Sequence, residues 1–194
     1  MAKLRVGLWV AVALALLAGQ AMDAATVRQF NLEQMVDRAD RIFRGTVLDA
    51  KEGTVQAGGG ELPVVTYRIR VDEALKGDFE QVKGQVIAEV RVIGKLEASR
   101  TATSRRLSSL PVLLKLEVGQ DYLLLTTPPS AAGLSTTVGI GQGSFRLFGK
   151  PGQETAVNAY NNQGLFTNKS AAADSSAGPV PYSVLAGLIR DIVG

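Results

Sequence analysis

The side chains able to do chemistry are few, and they come without their usual partners. The 194-residue sequence contains no histidine and no cysteine. Ser-His-Asp and Cys-His nucleophilic catalysis are therefore excluded, as is any His-ligated metal centre. What remains is Ser-Lys or paired-carboxylate chemistry, in which a lysine or a second carboxylate serves as base. Lys95 with Ser99, and Lys115 with Ser108 and Ser109, have the types for the first; Asp72-Glu73 beside Lys76 has the types for the second. None of them sits in a recognisable motif. Asp72-Glu73 reads more simply as a solvated turn at a strand end, and Asp40 as a local hydrogen-bonding group closing a helix. No D-x-D-x-D-G calcium loop is present, and no cofactor or metal is expected.

The stretch "VGIGQGSFRLFG" (138–149) resembles a phosphate-cradling loop at first sight. A dinucleotide fingerprint needs G-x-G-x-x-G opening a helix, whereas here Gly139, Gly141 and Gly143 give G-x-G-x-G. No Lys-Ser/Thr pair follows, so it is not a P-loop. Phe145 and Leu147 then alternate with Arg146 and Phe148, which predicts a strand over 138–148 whose glycines clear one face for sharp coiling.

A second candidate is the polar stretch "KLEASRTATSRRLSSLP" (95–111). It carries Lys95, Arg100, Arg105 and Arg106 against Glu97 alone. Loops of this length are functional or disordered, so these four cations form a candidate partner-binding patch, weighed against a solvated mobile loop.

Several elements must position these groups. Asn31 as N-cap and Gln34 three residues on make a capping-box pair, with Phe30 placed to staple onto Met35. Leu32, Met35, Val36 and Ala39 then form one apolar stripe. Strand patterns follow at 41–50, with Gly45 marking a bulge or close backbone approach, and at 65–72, where Val65, Tyr67, Ile69 and Val71 alternate with polar residues. "VQAGGGELP" between them reads as a flexible hairpin loop, and Gly77 as a turn. Further strands are predicted at 84–94 and 119–129, the latter stopped by Pro128 and Pro129. Residues 168–180 read as a flexible linker before a C-terminal helix with Leu185, Leu188, Ile189 and Ile192 on one face. "NAYNNQGLF" (158–166) is either an exposed strand edge or, more ordinarily, a turn. Tyr67, Tyr122, Tyr160 and Phe166 are read as core rather than as a stacking platform.

The N-terminus sets the compartment. Lys3 and Arg5 precede an apolar run of 13 residues, Val6 to Ala18, too short to span a bilayer comfortably. Residues 1–21 are read as a secretory signal peptide cut after Ala21, leaving a single domain over 22–194 without a stable membrane anchor. The full chain is +3, but Lys3 and Arg5 leave with the signal, so 19 basic residues face 18 acidic ones, a net of +1. That surplus is too small for a nucleic-acid-binding protein.

Five strands without βαβ alternation and a helix at each end favour a mainly β fold. The expectation is a small five-stranded OB-like antiparallel barrel, with a β-sandwich as the alternative. "NLEQMVDRADRIFRGTVLDA", "TYRIRVDEALKGD", "VGQDYLLLTTPP", "VGIGQGSFRLF" and "NNQGLF", in that order, resemble a group of exported bacterial proteins of unassigned activity. That group is similar in outline to the netrin-like barrels of tissue inhibitors of metalloproteinases, and is associated with matrixin-type metalloproteases. The resemblance implies an OB-like barrel that binds a protein. The inhibitors present an N-terminal cysteine to the protease zinc, and a chain without cysteine does not share that mechanism. The expected function is thus an exported, periplasmic or secreted, non-catalytic module binding a protein partner such as a co-secreted metalloprotease. Oligosaccharide binding and envelope or matrix assembly are alternatives, and a His-independent hydrolase is the weaker reading.

Overall fold

A computed structural model describes residues 29–96, 114–166 and 177–194. The predicted signal segment, Ser99, Arg100, Arg105, Arg106, Ser108 and Ser109 lie outside the described residues.

Helix α1 (Leu32–Arg38) forms where its cap and stripe place it. The Asn31 side chain accepts from the Gln34 N–H at 2.9 Å, and the Gln34 side chain accepts from the Asn31 N–H at 3.3 Å. This is the reciprocal capping box expected from the spacing. Leu32, Met35, Val36 and Ala39 are buried. Phe30 packs against the same cluster, with the Arg38 guanidinium 4.7 Å from its ring centroid.

Strands β1 (Arg41–Ala57), β2 (Gly60–Lys76), β3 (Gln81–Val82), β4 (Gln85–Ile93), β5 (Asp121–Thr126), β6 (Ser144–Phe148), β7 (Thr155–Asn158) and β8 (Val180–Pro181) follow, and then helix α2 (Tyr182–Val193). The protein is mainly β. Its strands form one antiparallel sheet in the order β3-β4-β2-β1-β5-β6-β7-β8. The five strands expected are eight, and they lie in one open sheet rather than the two of a sandwich. Three strands of two to four residues are too short to show a period of two. The glycine-rich "VQAGGGELP" is the hairpin expected, but its loop is shorter than the stretch. Its residues pair as strand (Val55 opposite Leu62, Ala57 opposite Gly60) around a two-residue turn at Gly58-Gly59, so β1 and β2 run to 17 residues each.

The sheet carries apolar clusters on both faces. On one, Ile42, Leu123, Leu125, Phe145, Leu147 and Ala156 pack beneath α1 and α2. On the other, Phe43, Val47, Tyr67, Ile69, Val90 and Leu124 pack with Leu114 and Leu116, which precede β5. Helix α2 docks through Leu185, Ala186 and Ile189, all buried, as its apolar face predicts. Beyond β5 the chain turns back, and Ser135 donates its N–H to the Arg91 carbonyl on the outer edge of β4 at 2.8 Å.

Gly45 sits at a register shift between β1 and β2. A Cβ there would lie 2.3 Å from the Arg70 carbonyl oxygen, so the close backbone approach expected at this position is present.

Candidate functional site

Of the cationic patch expected at Lys95, Arg100, Arg105 and Arg106, Lys95 alone falls among the described residues. It follows Gly94 at the end of β4 and is half-buried. Of the two Ser-Lys pairs, Lys95 and Lys115 are described, and Lys115 is exposed. Asp40 donates its backbone N–H to the Thr126 carbonyl at 2.8 Å and pairs with Arg41 at 3.4 Å, the local role expected of it. Tyr67, Tyr122 and Phe166 are buried, as read; Tyr160 is on the surface.

Asp72-Glu73 is not a solvated turn. Both residues lie within β2, and Glu73 is central to a polar network that patterning did not reveal. Arg44, its cross-strand neighbour on β1, donates from Nη2 to Glu154 Oε1 at 2.9 Å and stands 3.6 Å from Asp121. The Arg44 guanidinium lies 5.0 Å from the Tyr182 ring centroid. Tyr182 in turn donates its hydroxyl to Glu73 Oε2 at 2.7 Å, and Arg190, two turns along α2, pairs with the other oxygen of Glu73. The Arg44 Nε is buried without a hydrogen-bond acceptor among the described residues, so the guanidinium is held by one edge and one face. A recess of about 500 Å³ opens beside this network.

The electrostatics lock each group in one state. Burial, and then the hydrogen bond to Glu73, push the Tyr182 phenol well above its ordinary value, so it remains a protonated donor. Its own backbone N–H, and then Arg44, hold the Glu154 carboxyl below the usual range, so it remains a carboxylate. Burial opposes the charge on Arg44, but its hydrogen bond with Glu154 and the field of that carboxylate outweigh burial and raise its pKa. A phenol that resists ionisation and a carboxylate that resists protonation suit a brace between α2 and the sheet better than proton transfer.

The glycine motif resolves in a similar way. Residues 138–143 form consecutive turns, and strand begins at Ser144, so the strand expected over 138–148 is shortened by half. The turns carry Gln142 inward. Its side-chain oxygen accepts from the Phe30 N–H at 2.8 Å, and its side-chain nitrogen donates to the Gly139 carbonyl at 3.3 Å. Gly139 has φ +64°, and a Cβ there would meet both Gln142 and Phe30 at about 3 Å. Asn158 donates to the Gln142 carbonyl at 3.0 Å, and Asn162 donates to the carbonyls of Ala156 and Gly178 at 2.9 and 2.8 Å. "NNQG" is therefore the turn expected. The described end of the linker, residues 177–180, is held by these amides and by β8.

A different recess, of about 740 Å³, opens at the β3 end of the sheet. Arg41 and Arg68 line it, but each already has a carboxylate: Asp40 at 3.4 Å and Asp49 at 3.0 Å. Asp78, Glu80 and Glu89 line it too, and Glu89 stands directly opposite Arg68 on the β2–β4 ladder. Its apolar wall is Phe79, Val82 and Ile87, with Val82 47% exposed. Phe79 is fixed edge-on against Phe43, ring centroids 5.3 Å apart at 74°. The β3–β4 hairpin and the turn before it bring these residues together, and no motif in the sequence marks them. The signal that was legible, "GDFEQV" after a strand, is acidic and aromatic but has no characteristic spacing.

No protein-family model matches this chain, and no curated protein matches its sequence.

Proposed function

We propose that this chain is an exported, non-catalytic binding module for a protein partner, such as a co-secreted metalloprotease. One observation carries the reading: the recess at the β3 end sets Asp78 and Glu80, in the turn before β3, and Glu89, on β4, beside an exposed apolar wall. Charged groups positioned beside accessible apolar surface are what an interface requires. The most heavily connected polar groups, at Arg44, are by contrast consumed in bracing a helix. Export rests on the charged start and apolar run within residues 1–21. An OB-like coiling of β4, β2, β1 and β5 belongs to the same proposal, and its support is the Ser135–Arg91 hydrogen bond joining the chain after β5 to the free edge of β4. Lys95, Arg100, Arg105 and Arg106 are retained as a further contact patch.

Affinity capture with cross-linking from the producing cell's own medium or periplasm tests this. The protein should recover a specific partner, and Val82→Asp should lose it while melting like the parent. Changing Arg100, Arg105 and Arg106 together to Ala reports on the cationic patch. Recovery of no partner, or substrate turnover by the purified protein, would overturn the reading.

A further inference from the structure

On one side β1 runs well past its neighbour. β5 pairs with Arg41 to Thr46, and the last bonds on that side join Val47 to Gln120 and Gly119 at 3.0 and 2.8 Å. On the other side β2 stays with β1 to the turn, in regular register from Asp49 to Ala57. The outer edge of residues 49–57 therefore has no strand beside it among the described residues. Pro63 fixes which of its groups face outward. It stands opposite Thr54, has no N–H, and turns its carbonyl away from β1 to accept from the Gly94 N–H at 3.0 Å. Thr54 and Pro63 are thus a pair without ladder bonds, and the N–H and C=O of Thr54 point outward. Alternation gives Ala50, Glu52 and Gln56 the same orientation. No hydrogen bond among the described residues engages the main chain of these four. Lys51 to Thr54 and Gln56 are exposed. The charges of this edge, Asp49, Lys51 and Glu52, all lie at its base, and "GTVQA" (53–57) has neither a charge nor a proline to guard it against pairing.

We propose that this edge pairs antiparallel with the same edge of a second copy, giving a two-fold dimer through one continuous sheet. The inference goes beyond the partner-binding reading and does not rest on it. The fall of the charges selects a second copy as the occupant. With the dyad at Gly53, Asp49 faces Ala57 of the second copy, Lys51 faces its Val55 and Glu52 faces its Thr54. The charged base of each strand then lies against the uncharged half of the other. Centring the dyad on Lys51 or Glu52 instead would set like charges face to face, which is destabilising. Glu52 and Thr54 exchange both hydrogen bonds of a narrow pair, as do Ala50 and Gln56. Gly53 suits the dyad, because strands approach most closely at a pair without ladder bonds, and glycine adds no side chain there.

Sedimentation equilibrium of the purified protein tests this. The parent should show a reversible monomer–dimer equilibrium, and a chain that stays monomeric up to about 1 mM overturns the proposal. Thr54→Pro removes an N–H that the β1–β2 ladder does not use, a substitution that a strand edge accepts. It should raise the dissociation constant at least about tenfold, because each dimer loses that hydrogen bond twice. Thr54→Ala loses the same hydroxyl bond to Glu61, at 2.9 Å, but keeps the N–H. It should stay within about twofold of the parent and melt like Thr54→Pro. Two further variants leave the main chain alone, and they decide the case if Thr54→Pro melts early. Val55→Glu sets a carboxylate opposite Lys51 and should tighten the dimer about threefold, whereas Val55→Lys sets like charges together and should weaken it about threefold. A dimer that Thr54→Pro leaves as tight as the parent's, or that the two Val55 variants shift equally, overturns the proposal.

Discussion

Glu154 shows how one carboxylate can commit a surface to structure. It accepts from Arg44 and from the Gly152 N–H, each at 2.9 Å, and its folded pKa lies below its ordinary value of 4.5. A depressed carboxyl contributes stability that is fully present above the unfolded pKa and is lost as pH falls through the folded one, because the unfolded chain then binds more protons. The stability gap between the parent and Glu154→Gln should therefore be constant from pH 7 down to about 5 and close as the pH drops below 4.5. Urea denaturation at a series of pH values measures it. Parallel curves down to pH 3 would mean that Arg44 is held without this carboxylate. Gln142 is a second case. It is the polar residue inside the glycine run, and its task is to anchor the backbone at Phe30 rather than to cradle a phosphate.

Elements here depend on how closely backbones approach. β1 and β2 pair over almost their whole length, and Gly45 lies where the ladder shifts register. A methyl at Gly45 would meet the Arg70 oxygen at 2.3 Å and Ile69 Cγ2 at 2.8 Å, so the strands would have to part. Gly45→Ala should cost about 2–3 kcal/mol, as an overpacked site does. Gly53→Ala, in the same strand with its nearest neighbour at 3.9 Å, should change stability by less than about 0.5 kcal/mol. Urea midpoints compare the two directly. Equal effects would mean that the clash is relieved by a shift of β2. This approach was legible from the sequence because a glycine amid β-branched and aromatic residues has a short list of structural reasons. The capping box of α1 and the apolar face of α2 were legible because each is written in residues three or four apart.

The molecule as a whole is organised around β5. Its neighbours Leu123 and Leu124 point to opposite faces, one into the cluster beneath the helices and the other into the cluster against β2 and β4. Both are fully buried. A strand shared by two cores couples them, so Leu123→Ala and Leu124→Ala should each lower one common unfolding transition by about 2–5 kcal/mol. Far-ultraviolet and near-ultraviolet circular dichroism should follow the same curve, since Tyr182 reports one face and Tyr67 the other. Two separated transitions in either variant would show that the faces fold independently.

The sequence by itself determined the mainly β character, the helix before the strands and the helix after them, the principal strands, the turn at Gly77 and the tight approach at Gly45. Each of these depends on residues that are near neighbours in the chain. The tertiary structure decided the strand order, the number of strands and the sites. Phe30 and Gln142 are 112 residues apart, and Arg44 and Glu154 are 110 apart. Only sheet order and register bring such groups within hydrogen-bonding distance, and neither has a local signature. The same holds for the recess at the β3 end, whose acidic residues look like ordinary solvated charges until the hairpin sets them beside Val82 and Ile87.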